Sequence, residues 1–230
     1  MTTFTTEDRV NSEPIPFAGI VNLEPAPQGT LEWKLEKLGY VSAGSVSDIL
    51  ATTKSGESKM RDNYKWRIIT ERITGQVQES YVNDAMIWGI ETEEQARIAY
   101  EITYGVKVTQ TGFLKHPTMQ WVGASPDGLV GDAGGIEIKC PNTTTHLQTL
   151  KAKKAPSKYI PQMQMGMWVT GRDWWDFISY DPRLPQAMQF FCVRVNRDEE
   201  YIDNMESQII KFLIEVEKEI QDLTGGKHGN

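Results

Sequence analysis

Cysteine is scarce in this chain. Cys140 and Cys192 are the two in 230 residues, too few for a disulfide framework or a four-thiolate iron–sulfur cluster. No apolar run approaches the roughly 20 residues a membrane-spanning helix needs. The opening residues, MTTFTTEDRVNSEPIPF, lack a basic segment followed by an apolar core, so no secretory signal is expected. These absences point to a reducing compartment and a cytoplasmic protein without a membrane partner. An excess of basic charge is also missing: 24 Lys and Arg stand against 31 Asp and Glu, a net charge of −7, which by itself argues against a nucleic-acid partner. No repeat or low-complexity block appears. What remains is an ordinary globular composition, 39% apolar and 24% charged, in a chain long enough for one sizeable core.

The charge is unevenly spread. From Ile138 to Arg172 there is no Asp or Glu, while Lys139, Lys151, Lys153, Lys154, Lys158 and Arg172 fall inside; Arg197 to Leu223 carries nine acidic residues against three basic. One basic face with an acidic remainder can bind DNA locally, and two solvated helices of opposite charge explain the pattern equally well.

Residues 1–29, broken by Pro14, Pro16, Pro25 and Pro27, are expected to form an irregular arm ahead of a single domain over 30–224 and a flexible tail over 225–230. Thr30 is placed to cap a helix that stops at Gly39. Ser42–Ser45 is expected to open a second helix through Val46, Ile49 and Leu50. Lys37, Ser42 and Ser45 then lie near helix N-termini and could hold a phosphate; plain helix capping accounts for them too. A helix from about Met60 to Thr74 is expected, with Trp66, Ile69 and Ile73 sharing a face. Between Ala85 and Tyr104, Met86, Ile90, Glu93, Ala96 and Tyr100 recur at helical spacing. That puts the Glu93 carboxylate on an apolar stripe, where it must pair with Arg97 at i+4 or face a metal or water site. The runs VKVTQTGFL, MQWVGA and GGIEIKC suggest an antiparallel meander. A helix over Ser157–Thr170, strands over Asp173–Tyr180 and Met188–Val195, and a long amphipathic helix through Ile202, Met205, Ile209, Phe212, Val216, Ile220 and Leu223 complete the expectation.

The chemistry concentrates in WVGASPDGLVGDAGGIEIKC, residues 121–140. Alternate residues of a strand share a face, so Ile136 and Ile138 face a core while Glu137 and Lys139 point together to the other side. Asp127, at a turn sharpened by Pro126 and Gly128, is expected to end the preceding strand and meet Glu137 across a hairpin. Two carboxylates are the hard oxygen ligands that Mg²⁺ selects, with the Ile138 carbonyl placed to complete the shell. Magnesium can activate water, neutralise phosphate charge and stabilise the leaving oxygen in phosphodiester hydrolysis. Lys139 could hold or deprotonate the attacking water if neighbouring positive charge and burial lowered its pKa.

Pro126-Asp127, Glu137 ten residues on, and Lys139 match the PD-(D/E)xK nuclease signature. More narrowly, the chain resembles the lambda-exonuclease (YqaJ) family of viral recombination exonucleases. The matching pieces are Trp33-Lys-Leu-Glu-Lys-Leu-Gly39, Trp88-Gly-Ile-Glu-Thr-Glu93, Ser125-Pro-Asp-Gly-Leu129, Ile136-Glu-Ile-Lys-Cys-Pro141, the block Tyr159–Thr170 and Tyr180-Asp-Pro-Arg183. The resemblance implies an α/β protein of the α+β type, with a restriction-endonuclease-like core of mixed or antiparallel sheet flanked by helices. It implies an exonuclease that uses two Mg²⁺ ions, with Mn²⁺ as a substitute, to digest one strand of duplex DNA from its 5′ end to 5′-mononucleotides. A 3′ overhang would be left for a single-strand annealing protein. Toroidal homotrimers acting on double-stranded DNA ends, encoded by a phage or prophage in a bacterial host, belong to the same expectation. Carried over by position, Asp127, Glu137 and Ile138 bind metal, Lys139 positions water, Glu93 supports the second metal and Gln162 is the active-site glutamine. Lys37, where the family has arginine, and Ser42 would meet the 5′-phosphate, while Gly44 stands where a further hydroxyl is expected. Lys54 would meet the incoming duplex. A PD-(D/E)xK endonuclease of repair or defence is the alternative, and a non-catalytic DNA-binding protein a more distant one.

Overall fold

The computed structural model describes residues 26–53, 56–78 and 84–225. Residues 1–25 of the arm expected over 1–29, Lys54, and residues 226–230 of the tail expected over 225–230 lie outside them. In chain order the elements are α1 (Leu31–Glu36), β1 (Val41–Ser42), α2 (Val46–Leu50), β2 (Thr52–Thr53), β3 (Gly56–Glu57), α3 (Lys59–Thr74) and α4 (Asp84–Tyr104). Then come β4 (Val108–Thr109), β5 (Leu114–Lys115), β6 (Val122–Ala124), β7 (Gly128–Val130), β8 (Gly134–Lys139), α5 (Thr143–Ala152), α6 (Ile160–Thr170), β9 (Trp174–Tyr180), β10 (Phe190–Asn196) and α7 (Glu199–Thr224).

A five-stranded mixed sheet, in the order β10-β9-β8-β7-β4, forms the centre. The β8–β9 pair is parallel and its other pairs are antiparallel. Side chains alternate across it as strand geometry requires. Ile136, Ile138 and Ile178 pack with Ala96 and Tyr100 of α4 on one face. Trp175 and Phe177 pack with Met163 and Met167 of α6 on the other. Gly134 and Gly135 let β8 lie under the rings of Trp174 and Trp175, which any side chain there would strike. A second core joins β1, α2, α3, β6, α6 and α7. In α7 the apolar stripe buries Ile202, Met205, Ile209, Phe212 and Val216 as the periodicity requires, but Leu223 at its end is exposed.

Three expectations change. The runs read as one meander serve two sheets: β6 pairs with β5 and, in parallel, with β1, whereas β4 and β7 join the central sheet. Asp127 therefore does not end a hairpin strand. It sits where the chain crosses between sheets and immediately precedes β7. Secondly, α3 buries Arg61, Tyr64, Ile68 and Ile69, leaving Trp66 and Ile73 exposed. Arg61 and Tyr64 win the inner face because Glu215 of α7 binds the Arg61 guanidinium through two hydrogen bonds and Phe212 stacks on Tyr64. On α4, likewise, Met86 and Ile90 are exposed; the buried contact is made further along, at Thr92, Ala96 and Tyr100. Thirdly, the helix expected to open at Ser42–Ser45 does form but is short: β1 ends at Ser42, a 3-10 turn over Ala43–Ser45 follows, and it runs into the five residues of α2. Too short to build a useful dipole, it gives no N-terminal anion site.

Candidate active site

The hairpin of β7 and β8 builds the site. Gly128 pairs with Ile136, and a side chain at Gly128 would collide with Val108, so only glycine lets the chain turn beside Asp127. One step beyond that pair, Asp127 takes the place of a ladder partner: its Oδ2 accepts the Ile138 N–H at 2.6 Å. Backbone N–H and C=O of one strand residue point to the same edge, so the Ile138 carbonyl faces the Asp127 side. Glu137 is 2% exposed. Its Oε1 lies against the Lys139 ammonium yet has no geometrically sound hydrogen bond, leaving lone pairs of a buried carboxylate unsatisfied. Around it, Ala43, Ala124, Ser125, Pro126, Gln162, Gly166 and Trp175 line a small cleft. Hence Asp127, Glu137, Lys139 and Gln162 do converge.

Glu93 arrives from α4. The structure has the pairing with Arg97, at 3.3 Å, and the charge of Glu93 is also felt at Asp127 and Glu137. Arg97 is steadied by Gln110, whose amide oxygen, turned toward it, accepts from both guanidinium nitrogens at 3.1 Å.

The electrostatics follow from burial. Loss of water raises the pKa of Glu137 to about 7 against the pull of Lys139. Burial, then the Asp127 charge, raises Glu93 to about 7, and burial raises Asp127 as well. Burial also opposes the charge on Lys139, but Glu137 and Asp127 outweigh it and hold the ammonium above its ordinary pKa. Without a metal, Lys139 is therefore a fixed cation and hydrogen-bond donor; the lowering expected from the sequence is for a lysine beside a metal-bound water. Among the described residues no three His, Cys, Asp or Glu side chains form a metal cage by themselves. The donor set nevertheless suits a hard cation, because the buried, unsatisfied oxygen of Glu137 and the raised acids are relieved by a nearby positive charge.

Several contributors carried no signal of their own in the chain. Tyr159 stacks on Phe177 at 5.5 Å and lies 5.3 Å from the Lys139 ammonium, walling that side. The Ser125 hydroxyl accepts a 2.9 Å hydrogen bond from the Trp33 indole, tying α1 to the catalytic turn. Arg172, counted with the basic face, instead donates to the carbonyls of Gly131 and Gly134 at 2.7 and 2.8 Å and braces the hairpin. Lys151, Lys153, Lys154 and Lys158 are exposed. In the block around α6, Gln164 is structural, bonded to the Asn196 carbonyl and the Asp198 N–H, which leaves Gln162 to the cleft.

Lys37 is the C-cap residue of α1, and Ser42 ends β1 next to Ala43, which lines the cleft. The Lys37 ammonium sits 3.4 Å over the Trp33 ring, and burial, then Arg67, lowers its pKa to about 8. Neither Ser42 nor Ser45 caps a helix through its side chain.

A mixed sheet flanked by helices, with Asp127 just ahead of β7 and Glu137 and Lys139 on β8, defines a nuclease of the PD-(D/E)xK class. The YqaJ-like viral recombinase domain matches residues 32–173, and the chain belongs to that family. It is 48% identical to LHK-Exo, an alkaline exonuclease from Laribacter hongkongensis, over 86% of this chain and 97% of that one, with a TM-score of 0.80. A structure of LHK-Exo in complex with dAMP matches equally well. A phage related exonuclease from Haemophilus somnus 129PT shares the fold at 18% identity, covering 80% of this chain and 96% of that one, with a TM-score of 0.63. ExoD of Escherichia coli strain K12 is 30% identical over 67 residues, 29% of this chain and 76% of that protein.

Proposed function

We propose that the chain is a Mg²⁺-dependent exonuclease that removes 5′-mononucleotides from the 5′ end of one strand of duplex DNA and leaves a 3′ overhang. The observation that carries this is the grouping round Glu137: it shares a small cleft with Gln162, pairs with Lys139, and has Asp127 bonded to the next N–H along β8. The likeness to LHK-Exo supports it, since dAMP is of the product class such a reaction releases. Asp127, Glu137 and the Ile138 carbonyl would hold magnesium, with Glu93 supporting a second ion and Mn²⁺ able to substitute. Bound there, the metal supplies Lewis-acid charge for the phosphate oxygens and makes water a nucleophile at neutral pH.

The chain's own groups orient the rest. The charged Lys139, fixed by Glu137 and walled by Tyr159, donates hydrogen bonds to the attacking water or to a phosphate oxygen. Gln162 presents its amide to the same space. Arg97 keeps Glu93 turned inward. Lys37 and Ser42 receive the 5′-phosphate, and Lys54 meets the incoming duplex. Assembly as a ring of copies, cooperation with a single-strand annealing protein and action in the cytoplasm of a phage-carrying bacterial host belong to the same proposal. Exposed Ile87, Ile90, Ile98 and Ile102 on α4 favour assembly, and among the described residues no helix is long and apolar enough to cross a membrane.

The test is digestion of end-labelled linear duplex beside covalently closed circular DNA, with Mg²⁺. Loss of label from 5′ ends and an intact circle are expected. Cutting of the circle would point instead to an endonuclease, and the absence of any metal-dependent digestion to a DNA-binding protein.

A further inference from the structure

Arg67 of α3 stands next to Lys37 without forming a close ion pair. Its Nη2 donates to the Ser45 hydroxyl at 3.2 Å, and its guanidinium lies 4.6 Å over the Tyr64 ring. Glu71 approaches its Nε only to 3.9 Å, beyond hydrogen-bond reach, because the other Glu71 oxygen is committed to the Gly39 N–H at 2.9 Å. Asp48 feels the Arg67 charge, but among the described residues no ion pair joins the two. Nor does any carboxylate among the described residues lie within ion-pair distance of Lys37. Two cations thus act on one another, one of them half-buried and offset only in part by Glu71, with the Ser45 hydroxyl on Arg67 and the Tyr64 hydroxyl taking the Ser42 N–H. Holding like charges together is unfavourable unless an anion joins them.

The backbone around them is braced for that task. Glu71 holds the Gly39 N–H, while Arg72 donates to the Gly39 carbonyl at 2.9 Å, so α3 grips the end of the α1 segment that carries Lys37. The cluster also adjoins the chemistry. Ala43, between Ser42 and Ser45, lines the same cleft as Glu137 and Gln162, and Trp33 under Lys37 bonds Ser125, two residues before Asp127. An anion at the cluster is therefore a neighbour of the bond to be cut.

We infer that Arg67 is a specificity-determining residue for the terminal 5′-phosphate of the digested strand, its guanidinium making the forked contact that Lys37, a point charge, cannot make alone. The inference rests on the 5′-end exonuclease reading above and adds a residue to it. Arg67 touches the substrate end and takes no part in the chemical step.

The test uses duplexes alike except for a 5′-phosphoryl or a 5′-hydroxyl end, digested by the wild-type protein, Arg67→Gln and Arg67→Lys. The wild type should prefer the phosphoryl end. Arg67→Gln should lower the rate on that end by about tenfold or more, with the hydroxyl-end rate kept within about twofold, and Arg67→Lys should recover part of the preference. Anisotropy with the same two duplexes in EDTA reads binding without turnover: Arg67→Gln should lose the preference for the phosphoryl end. The hydroxyl-end rate doubles as the control for folding, and Arg67→Lys keeps the charge should the glutamine variant fail to fold. A wild-type protein indifferent to the phosphate, or equal loss on both ends, overturns the inference. Digestion of 3′ ends by the wild type would overturn the 5′-end reading together with it, whereas 5′ digestion unaffected by Arg67 removes this residue alone.

Discussion

On β8 a carboxylate and an ammonium share a sheet face from which water is nearly excluded; between α1 and α3 two cations share a half-open hollow lined by hydroxyls. Both regions keep charge where it is unfavourable, but they do so by opposite means. In the hairpin, burial raises Glu137, and Lys139 is trapped as its counter-ion. In the hollow, partial burial and then repulsion from Arg67 lower Lys37 against the weaker pull of Glu71, and an added anion would relieve both cations. Under the proposed function the hairpin would take a cation and carry the chemistry, and the hollow would take a phosphate and serve recognition. Changes in the first should therefore strike every substrate, and changes in the second should strike only ends that bear a phosphate.

The largest effect is expected from Asp127→Ala or Lys139→Ala. Either should lower digestion by about 10³-fold or more on phosphoryl and hydroxyl ends alike, with the circular dichroism of the folded protein retained. Full activity in either variant would remove the residue from the site. A smaller, selective loss is expected from Lys37→Ala: about tenfold on phosphoryl ends and little on hydroxyl ends. Equal slowing would merge the two regions and sink the division of labour.

The pH dependence of stability separates them again. Glu93 and Glu137 have folded pKa values raised to about 7 in the metal-free protein, above the ordinary carboxylate range near 4.5. The folded state therefore binds more protons than the unfolded chain between these values, and this contribution to stability, full below about 4.5, is lost as pH rises through about 7. The melting temperature in EDTA should fall over that window. Mg²⁺ should restore it at pH 8, and Glu137→Gln should flatten the profile; a profile unchanged by Glu137→Gln would count against the assignment. The smallest effect is expected from Arg172→Ala, which frees two turn carbonyls and should lower the melting temperature by about 2–6 °C. Activity should then fall equally on both kinds of end, since the brace serves the hairpin and not the hollow.

Much of the site was legible because its chemistry is local. The alternation of Ile136, Glu137, Ile138 and Lys139 is a property of any strand, and a carboxylate at helical spacing on α4 had to find a partner wherever the helix packed. Gln162 came from resemblance, and its place at the cleft accords with it. The residues that escaped are those whose role depends on long-range neighbours. Arg67 lies thirty positions from Lys37, Trp33 some ninety from Ser125, and Arg172 about forty from the carbonyls it braces. The misread faces of α3 and α4 have the same origin: apolar periodicity marks a stripe, but the neighbouring helix or sheet decides which part of it is covered. In α3 an arginine and a tyrosine took the inner face because α7 offered them a carboxylate and a ring.

The chain alone determined the elements of the nuclease core, the strand that pairs Glu137 with Lys139, and the turn that carries Asp127, because these depend on backbone geometry over a few residues. Tertiary structure decided that β6 leaves the central sheet and that Asp127 replaces a ladder partner of Ile138. It also decided that Lys139 stays charged and that a second cation stands beside Lys37. Burial and long-range charge set those outcomes, and neither exists until the chain has folded.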